Sequence, residues 1–200
     1  MKQHRVFGIG LGRTGTRSLT KALKILGYRF VQHPIPFEIM NEYDAAVGSV
    51  ASLHYQHLAQ LYSNALFILT VRDLDPWLAS WTRYSQTQPY LSCFSEFKRP
   101  IRLASYGVVG FDRGCWHQYY LKHTAEVMNY FNNCSTTTSS INDTNRSRLL
   151  VINICSGEGW SKLCPFLNES IPLKPFPRIT HRETELIKQR AYRASRRSHF

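Results

Sequence analysis

The sequence predicts an α/β protein, three layers deep, with a mainly parallel sheet covered by helices on both faces. Three observations predict it. Apolar runs of strand length alternate with segments of helical spacing along the chain. The first run ends in glycines and opens a helix, the arrangement of an anion-holding turn. The 200 residues, 43% hydrophobic and 13% aromatic, are enough for one globular domain with a buried core.

The elements follow in order. Val6 to Ile9 is a short apolar run ended by glycines and reads as a buried strand. From Thr16 the period changes: Leu19, Ala22, Leu23 and Leu26 fall at helical spacing, and Gly27 is a natural stop. "YRFVQH" reads as a second strand, "PIPFEIM" as a short helix opened by proline, and "AAVGSV" as a third strand. "ASLHYQHLAQLYSN" reads as helix and "ALFILTV" as the clearest strand. "DPWLASWTRY" and "CWHQYYLKHTAEVMNYF" have helical character, "RLLVINI" returns to strand, and "GEGWSKLCPFL" to helix. In that last helix Glu158 is expected in the first turn, with Trp160 packing the helix onto the sheet.

Composition divides the chain. Asn132 to Ser147, "NNCSTTTSSINDTNRS", is polar and low in complexity, and reads as a loop or disordered insert. The expected organisation is one domain over residues 1–180 carrying that insert, then a basic helix or tail over 181–200. N-x-S/T triplets stand at Asn133, Asn142, Asn145 and Asn168; without a signal peptide they read as a by-product of composition.

Formal net charge is +12, which favours an anionic partner. No nucleic-acid-binding motif is visible, so nucleic acid is not the expected partner. Five scattered cysteines offer no C-x-x-C and no spacing that closes a zinc site; reduced thiols and no metal are expected. No run of eighteen apolar residues occurs, so no membrane span is expected. Strand-like residues begin at Val6, leaving no room for a signal peptide, and the expected address is cytoplasmic.

Function turns on "GIGLGRTGTRSLT". Gly10, Gly12 and Gly15 spell the dinucleotide fingerprint G-x-G-x-x-G. That reading also requires an acidic residue at the end of the second strand, which here ends "FVQH". A Walker A loop requires Lys-Ser/Thr after its last glycine, and Thr16-Arg17 stands there instead. What remains is a loop of cations and hydroxyls, Arg13, Thr14, Gly15, Thr16, Arg17 and Ser18, at a helix N-terminus. Such a loop suits a dianionic group held without metal. The plainer alternative has Thr14 as a helix cap and both arginines in solvent.

This loop, "GLGRTGTRSLTKAL", resembles the 5′-phosphosulfate loop of sulfotransferases that use 3′-phosphoadenosine 5′-phosphosulfate (PAPS). The family's second signature is an arginine at a strand end with a serine eight residues on; "FILTVRDLDPWLASW" supplies Arg72 and Ser80. In the family this pair grips the 3′-phosphate. Asp75-Pro76 is a good helix opening, which would bring both side chains to the carboxyl edge of the sheet. A salt bridge with Asp73 or Asp75 is the alternative for Arg72, and a surface position for Ser80. Further stretches, "YDAAVGSVASLHYQHLAQLYSNALFILTVRD", "FDRGCWHQYYLKHTAEVMNYF" and "RLLVINICSGEGWSKLCPFL", resemble a branch of the P-loop sulfotransferases in order and spacing. The resemblance implies a P-loop nucleotide-binding type of fold, PAPS as co-substrate, and a small-molecule or glycan acceptor.

The resemblance also implies catalytic roles. Arg13 stands where relatives often carry lysine and would neutralise charge on the leaving phosphate. Relatives place His, Asp or Glu after the third strand as general base, in an H-x-P or D-x-P context. Here Gly48 and Val50 occupy those positions. His54 and His33 are then the candidate bases, with His57 and Asp44 behind them. Tyr84, Tyr90, Phe94 and Phe97 are candidates for the acceptor wall. Three readings stay open: a PAPS-dependent sulfotransferase, a non-catalytic relative that binds PAPS or its desulfated product PAP, and an NAD(P)-binding or kinase-like enzyme.

Overall fold

The computed structural model describes residues 2–31, 37–87, 96, 98–137 and 147–179. Five parallel strands, β1 (Val6–Gly8), β2 (Phe30–Val31), β3 (Ala45–Val47), β4 (Leu66–Thr70) and β5 (Leu149–Ile152), form one sheet in the order β2-β3-β1-β4-β5. Val6 pairs with Ala45 on one side and Leu66 on the other, so β1 is the central strand. The chain leaves β1 towards β2 and later crosses back over it from β3 to β4. That reversal opens a crevice at the carboxyl ends of the strands, where open α/β sheets bind ligands.

Among the described residues seven α-helices cover the sheet: α1 (Thr16–Ile25), α2 (Ser49–Leu53), α3 (Tyr55–Leu61), α4 (Leu74–Thr87), α5 (Lys98–Tyr106), α6 (Arg113–Thr137) and α7 (Trp160–Leu167). The central strands are apolar on both sides because both faces are covered. Val6 and Ile68 face α1 and α7, packing on Leu19, Leu23, Leu163 and Leu167. Phe7, Phe67 and Leu69 face the opposite layer, against Tyr55, Leu58, Val127 and Phe131. A third cluster, Leu11, Trp77, Leu78, Trp81, Trp116 and Tyr120, lies beyond the carboxyl end of the sheet and binds α4 to α6.

The expected α/β architecture holds, with local differences. The stretch read as one helix after β3 is broken at His54 into α2 and α3. "FEIMN" is a 3₁₀ turn, Phe37–Asn41, and the prolines before it lie outside the described residues. α6 runs through Thr137, so the polar stretch from Asn132 begins as helix; backbone hydrogen bonding propagated from a long helix overrides composition there. α5 carries Pro100 in its first turn and is not among the helices read from the sequence. Glu158 precedes α7: its carboxylate accepts the Asn153 backbone N–H and pairs with Lys162. Trp160 does pack as expected and donates its indole N–H to the Lys174 carbonyl. Residues 181–200 lie outside the described region, as do Asn142 and Asn145. Among the described residues no helix is long and apolar enough to cross a membrane.

Candidate functional site

The loop after β1 is held from within. Gly10 runs so close to β4 that a Cβ there would meet the Thr70 hydroxyl at 2.0 Å and its carbonyl oxygen at 2.5 Å. Strand packing therefore requires glycine at this position. Thr14 turns inward, fully buried. Its hydroxyl donates to the Leu11 carbonyl at 2.6 Å and lies 2.6 Å from that of Thr70. Thr14 is therefore neither a helix cap nor a side chain facing the anion; the cap position belongs to Gly15, in the left-handed region at φ 100°.

The carbonyls of this loop are also turned inward and occupied. His123 Nε2 lies 2.9 Å from the Ile9 oxygen, and the Ser52 hydroxyl is within reach of Ile9 and Gly10. Trp77 donates its indole N–H to the Gly12 carbonyl at 2.8 Å, and Arg72 Nη1 reaches that of Arg13 at 3.4 Å. Five consecutive residues, Ile9 to Arg13, thus have carbonyls held by the scaffold, so their negative ends do not oppose an anion at the start of α1. A carbonyl only accepts, so His123 Nε2 carries its proton. Burial lowers the His123 pKa and keeps the ring neutral.

On the outer side of the loop lies a cavity of about 360 Å³. Arg13, Gly15, Thr16, Arg17, Ser18, Arg72 and Ser80 all line it, so seven of the eight predicted binding residues converge and Thr14 alone faces away. Ser80 is buried and accepts a hydrogen bond from Arg13 Nε at 3.1 Å, which leaves its own O–H to donate. The Ser18 hydroxyl accepts the Ile179 N–H at 2.9 Å and keeps its proton in the same way. Arg72 does not pair with the neighbouring carboxylates. Asp73 accepts from Asn153, and Asp75 lies 3.5 Å from Arg113. Tyr120 fixes the arginine from behind: its hydroxyl accepts the Arg72 N–H and donates to the Arg72 carbonyl.

Arg83 and Arg178 complete the wall. Sequence reasoning missed both. Arg83 stands one helical turn beyond Ser80 on the same side of α4, a usable signal. Arg178 reaches the cavity from the segment after α7, where it donates to the Gly157 carbonyl, and only the tertiary fold reveals it. Five arginines therefore line one cavity, and no lining residue among those described is acidic. Burial lowers the pKa of Arg13, as do the charges of Arg17, Arg72 and Arg83, with Tyr84 opposing them. Such a concentration of fixed positive charge with phosphate-shaped donors fits a ligand carrying more than one phosphate-like group.

The expected bases fare differently. His54 is exposed at the break between α2 and α3, and His57 is exposed on α3; neither lines the cavity. His33 lies outside the described residues. Asp44 sits at the opposite, amino end of β3, where its carboxylate accepts from the backbone N–H groups of Lys2 and Arg29. Gly48 has φ 140° and ψ −174°, a conformation that residues with side chains strongly disfavour. The usual position of the base is thus shaped for glycine.

Site and sheet together define an α/β protein with an arginine-lined cavity at its topological switch point. The model of the sulfotransferase domain family matches residues 5–37 and 36–184, and the chain belongs to that family. It is similar to Ava biosynthesis cluster protein M of Aspergillus versicolor, 26% identical over 90% of this chain and 85% of the relative. A crystal structure of a sulfotransferase from Alicyclobacillus acidocaldarius shares the fold, with a TM-score of 0.54 at 15% identity over 94% of this chain and 90% of that one. The dinucleotide and kinase readings of the loop give way to this family.

Proposed function

We propose that the protein transfers a sulfuryl group from PAPS to the hydroxyl or amine of an acceptor. One observation carries the reading: both halves of the expected PAPS grip, the loop of Gly15 to Ser18 and the pair Arg72 and Ser80, line a single arginine-rich cavity. In this reading Gly15, Thr16, Arg17 and Ser18 hold the 5′-phosphosulfate, at the N-terminus of α1. Arg72 and Ser80 hold the 3′-phosphate, and Arg83 and Arg178 add charge around it. Arg13, fixed between Ser80 and the Tyr84 ring at 4.8 Å, neutralises charge on the leaving phosphate.

The test is the rise in melting temperature with PAP, compared with 5′-AMP and NADPH, in the parent protein and in Arg72→Ala. A ligand that binds only the folded state stabilises it by RT ln(1 + [L]/Kd). PAP is expected to stabilise the parent and 5′-AMP far less. Arg72→Ala should weaken PAP by about 2–3 kcal/mol, the scale of hydrogen bonds to charged groups, or roughly 30- to 150-fold in Kd. Equal shifts with PAP and 5′-AMP would remove the 3′-phosphate assignment. A non-catalytic PAP-binding protein is the second reading, favoured by the glycine-only backbone at Gly48. It predicts the same shifts without turnover.

A further inference from the structure

A second cavity, of about 140 Å³, lies against the same loop and the same helix as the first. Leu11 and Gly12 line it where Arg13 and Gly15 to Ser18 line the donor cavity; Trp81 and Tyr84 line it where Ser80 and Arg83 line the other. The loop and α4 are therefore a shared wall, and a molecule in the second cavity lies beside the donor. Its remaining sides come from α5, including Ile101, Arg102 and Tyr106.

The walls are aromatic and held in place. Tyr106 stacks on Trp116 with ring centroids 3.7 Å apart and planes at 3°, and Trp81 meets the Tyr84 ring edge-on at 5.6 Å. Trp81 is buried with an indole N–H that has no partner among the described residues. The charged groups are all cations: Lys98 and Arg102 from α5, with Arg13 over the Tyr84 ring. The titratable groups of the walls are the phenols of Tyr84 and Tyr106, and burial pushes the Tyr106 phenol up so that it stays protonated. α2 contributes Ser49 and Ser52, the latter engaged with the loop carbonyls. Among the described residues lining either cavity there is no carboxylate and no histidine.

We infer that the acceptor is a phenol, seated in this second cavity and reacting as its phenolate. The inference rests on the PAPS-donor reading and deepens it. An aliphatic alcohol is about as weak an acid as water and needs a general base in the transition state. A phenol ionises near pH 10, as tyrosine does, and surrounding cations favour its anion further. Flat aromatic walls supply stacking for the ring. The phenolic proton goes to solvent and the oxygen attacks sulfur. The new O–S bond forms as the S–O bond to the 5′-phosphate breaks, and its electron pair leaves on PAP.

The experiment measures sulfation of 4-nitrophenol, phenol and cyclohexanol with PAPS across about pH 6 to 9, a range in which phenols of different acidity separate. The parent protein is compared with Ile101→Trp, which fills the second cavity, and PAP stabilisation is recorded for both. Expected are turnover of both phenols, with the 4-nitrophenol rate levelling off within this range and the phenol rate, governed by a pKa near 10, still rising at its upper end. Cyclohexanol should be at least about 100-fold slower. Ile101→Trp should raise KM for the phenols about tenfold or more while its melting-temperature rise with PAP is unchanged. Cyclohexanol turned over as well as phenol, or one midpoint shared by all acceptors, would overturn the inference. The shared midpoint would indicate a protein base, and His33→Ala would then abolish the rate. PAP stabilisation with no phenol sulfated also overturns it and leaves the donor reading standing. Absence of PAP stabilisation removes the donor reading itself, and this inference with it.

Discussion

The two ends of the sheet treat charge in opposite ways. At the amino end, Asp44 is 5% exposed and accepts from Lys2 N–H, Arg29 N–H and Arg29 Nε, while Lys2 Nζ lies 2.7 Å from Glu169. Opposite charges there meet across distant parts of the sequence and close the base of the domain. At the carboxyl end, five arginines share one cavity whose described lining holds no acidic residue. Like charges gathered in this way do not stabilise a folded chain; a bound dianion offsets their repulsion. One end therefore serves folding and the other, in the proposed function, binding, although the same strands carry both.

The largest expected effect tests where this division stops. Gly10 belongs to the binding end yet is a packing residue, because a Cβ there overlaps Thr70. Gly10→Ala should cost about 3 kcal/mol or more, read as a lower urea midpoint, since backbone and not a flexible side chain must move. A variant of parental stability would show that the loop is not seated on β4.

Next comes Asp44→Ala, which leaves the partly buried backbone N–H groups of Lys2 and Arg29 without their acceptor and should cost about 1–3 kcal/mol. Its melting-temperature rise with PAP should equal the parent's. Loss of that rise would break the comparison, because the amino end would then be shaping the donor cavity. Burial raises the Asp44 pKa, and the hydrogen bonds from Arg29 and Lys2 outweigh it and bring the value down. Its stabilisation is thus present above about pH 3.9 and lost as pH falls through the lower folded value. Urea midpoints of parent and Asp44→Ala should converge in acid.

Arg17→Ala should do the reverse. Exposed and in no ion pair among the described residues, Arg17 contributes within about 0.5 kcal/mol to the stability of the free protein, while the rise with PAP should shrink. A smaller and pH-dependent effect comes from His123. Burial lowers its pKa, so its stabilisation is complete above about pH 6.5 and declines as pH falls below that value. Thermal unfolding between neutral and mildly acid pH should show this decline in the parent and a flatter profile in His123→Gln.

Much of this was legible in the chain. Alternating apolar periods gave away the parallel sheet and most of its helices, because a strand covered on both faces must be apolar throughout. The family resemblance rested on the Arg72 and Ser80 spacing and on the loop of Arg13 to Ser18, local patterns at element ends, and all of these residues but Thr14 line one cavity. Glycine spacing misled: Gly10, Gly12 and Gly15 spell a dinucleotide motif, yet Gly10 answers to Thr70. His54 was a reasonable base by residue type, but a break between two short helices turns it outward.

The sequence by itself determined the fold class and, through the family resemblance, pointed to seven residues that line one arginine-rich cavity. Only the tertiary structure decided that Thr14 faces inward, that Arg83 and Arg178 join the cavity, and that an aromatic chamber without a described base lies beside it. The physical reason is range. Periodicity and motif spacing report contacts within one turn or one strand, whereas Arg178 with Gly15, or α5 with the loop after β1, meet only when distant segments pack.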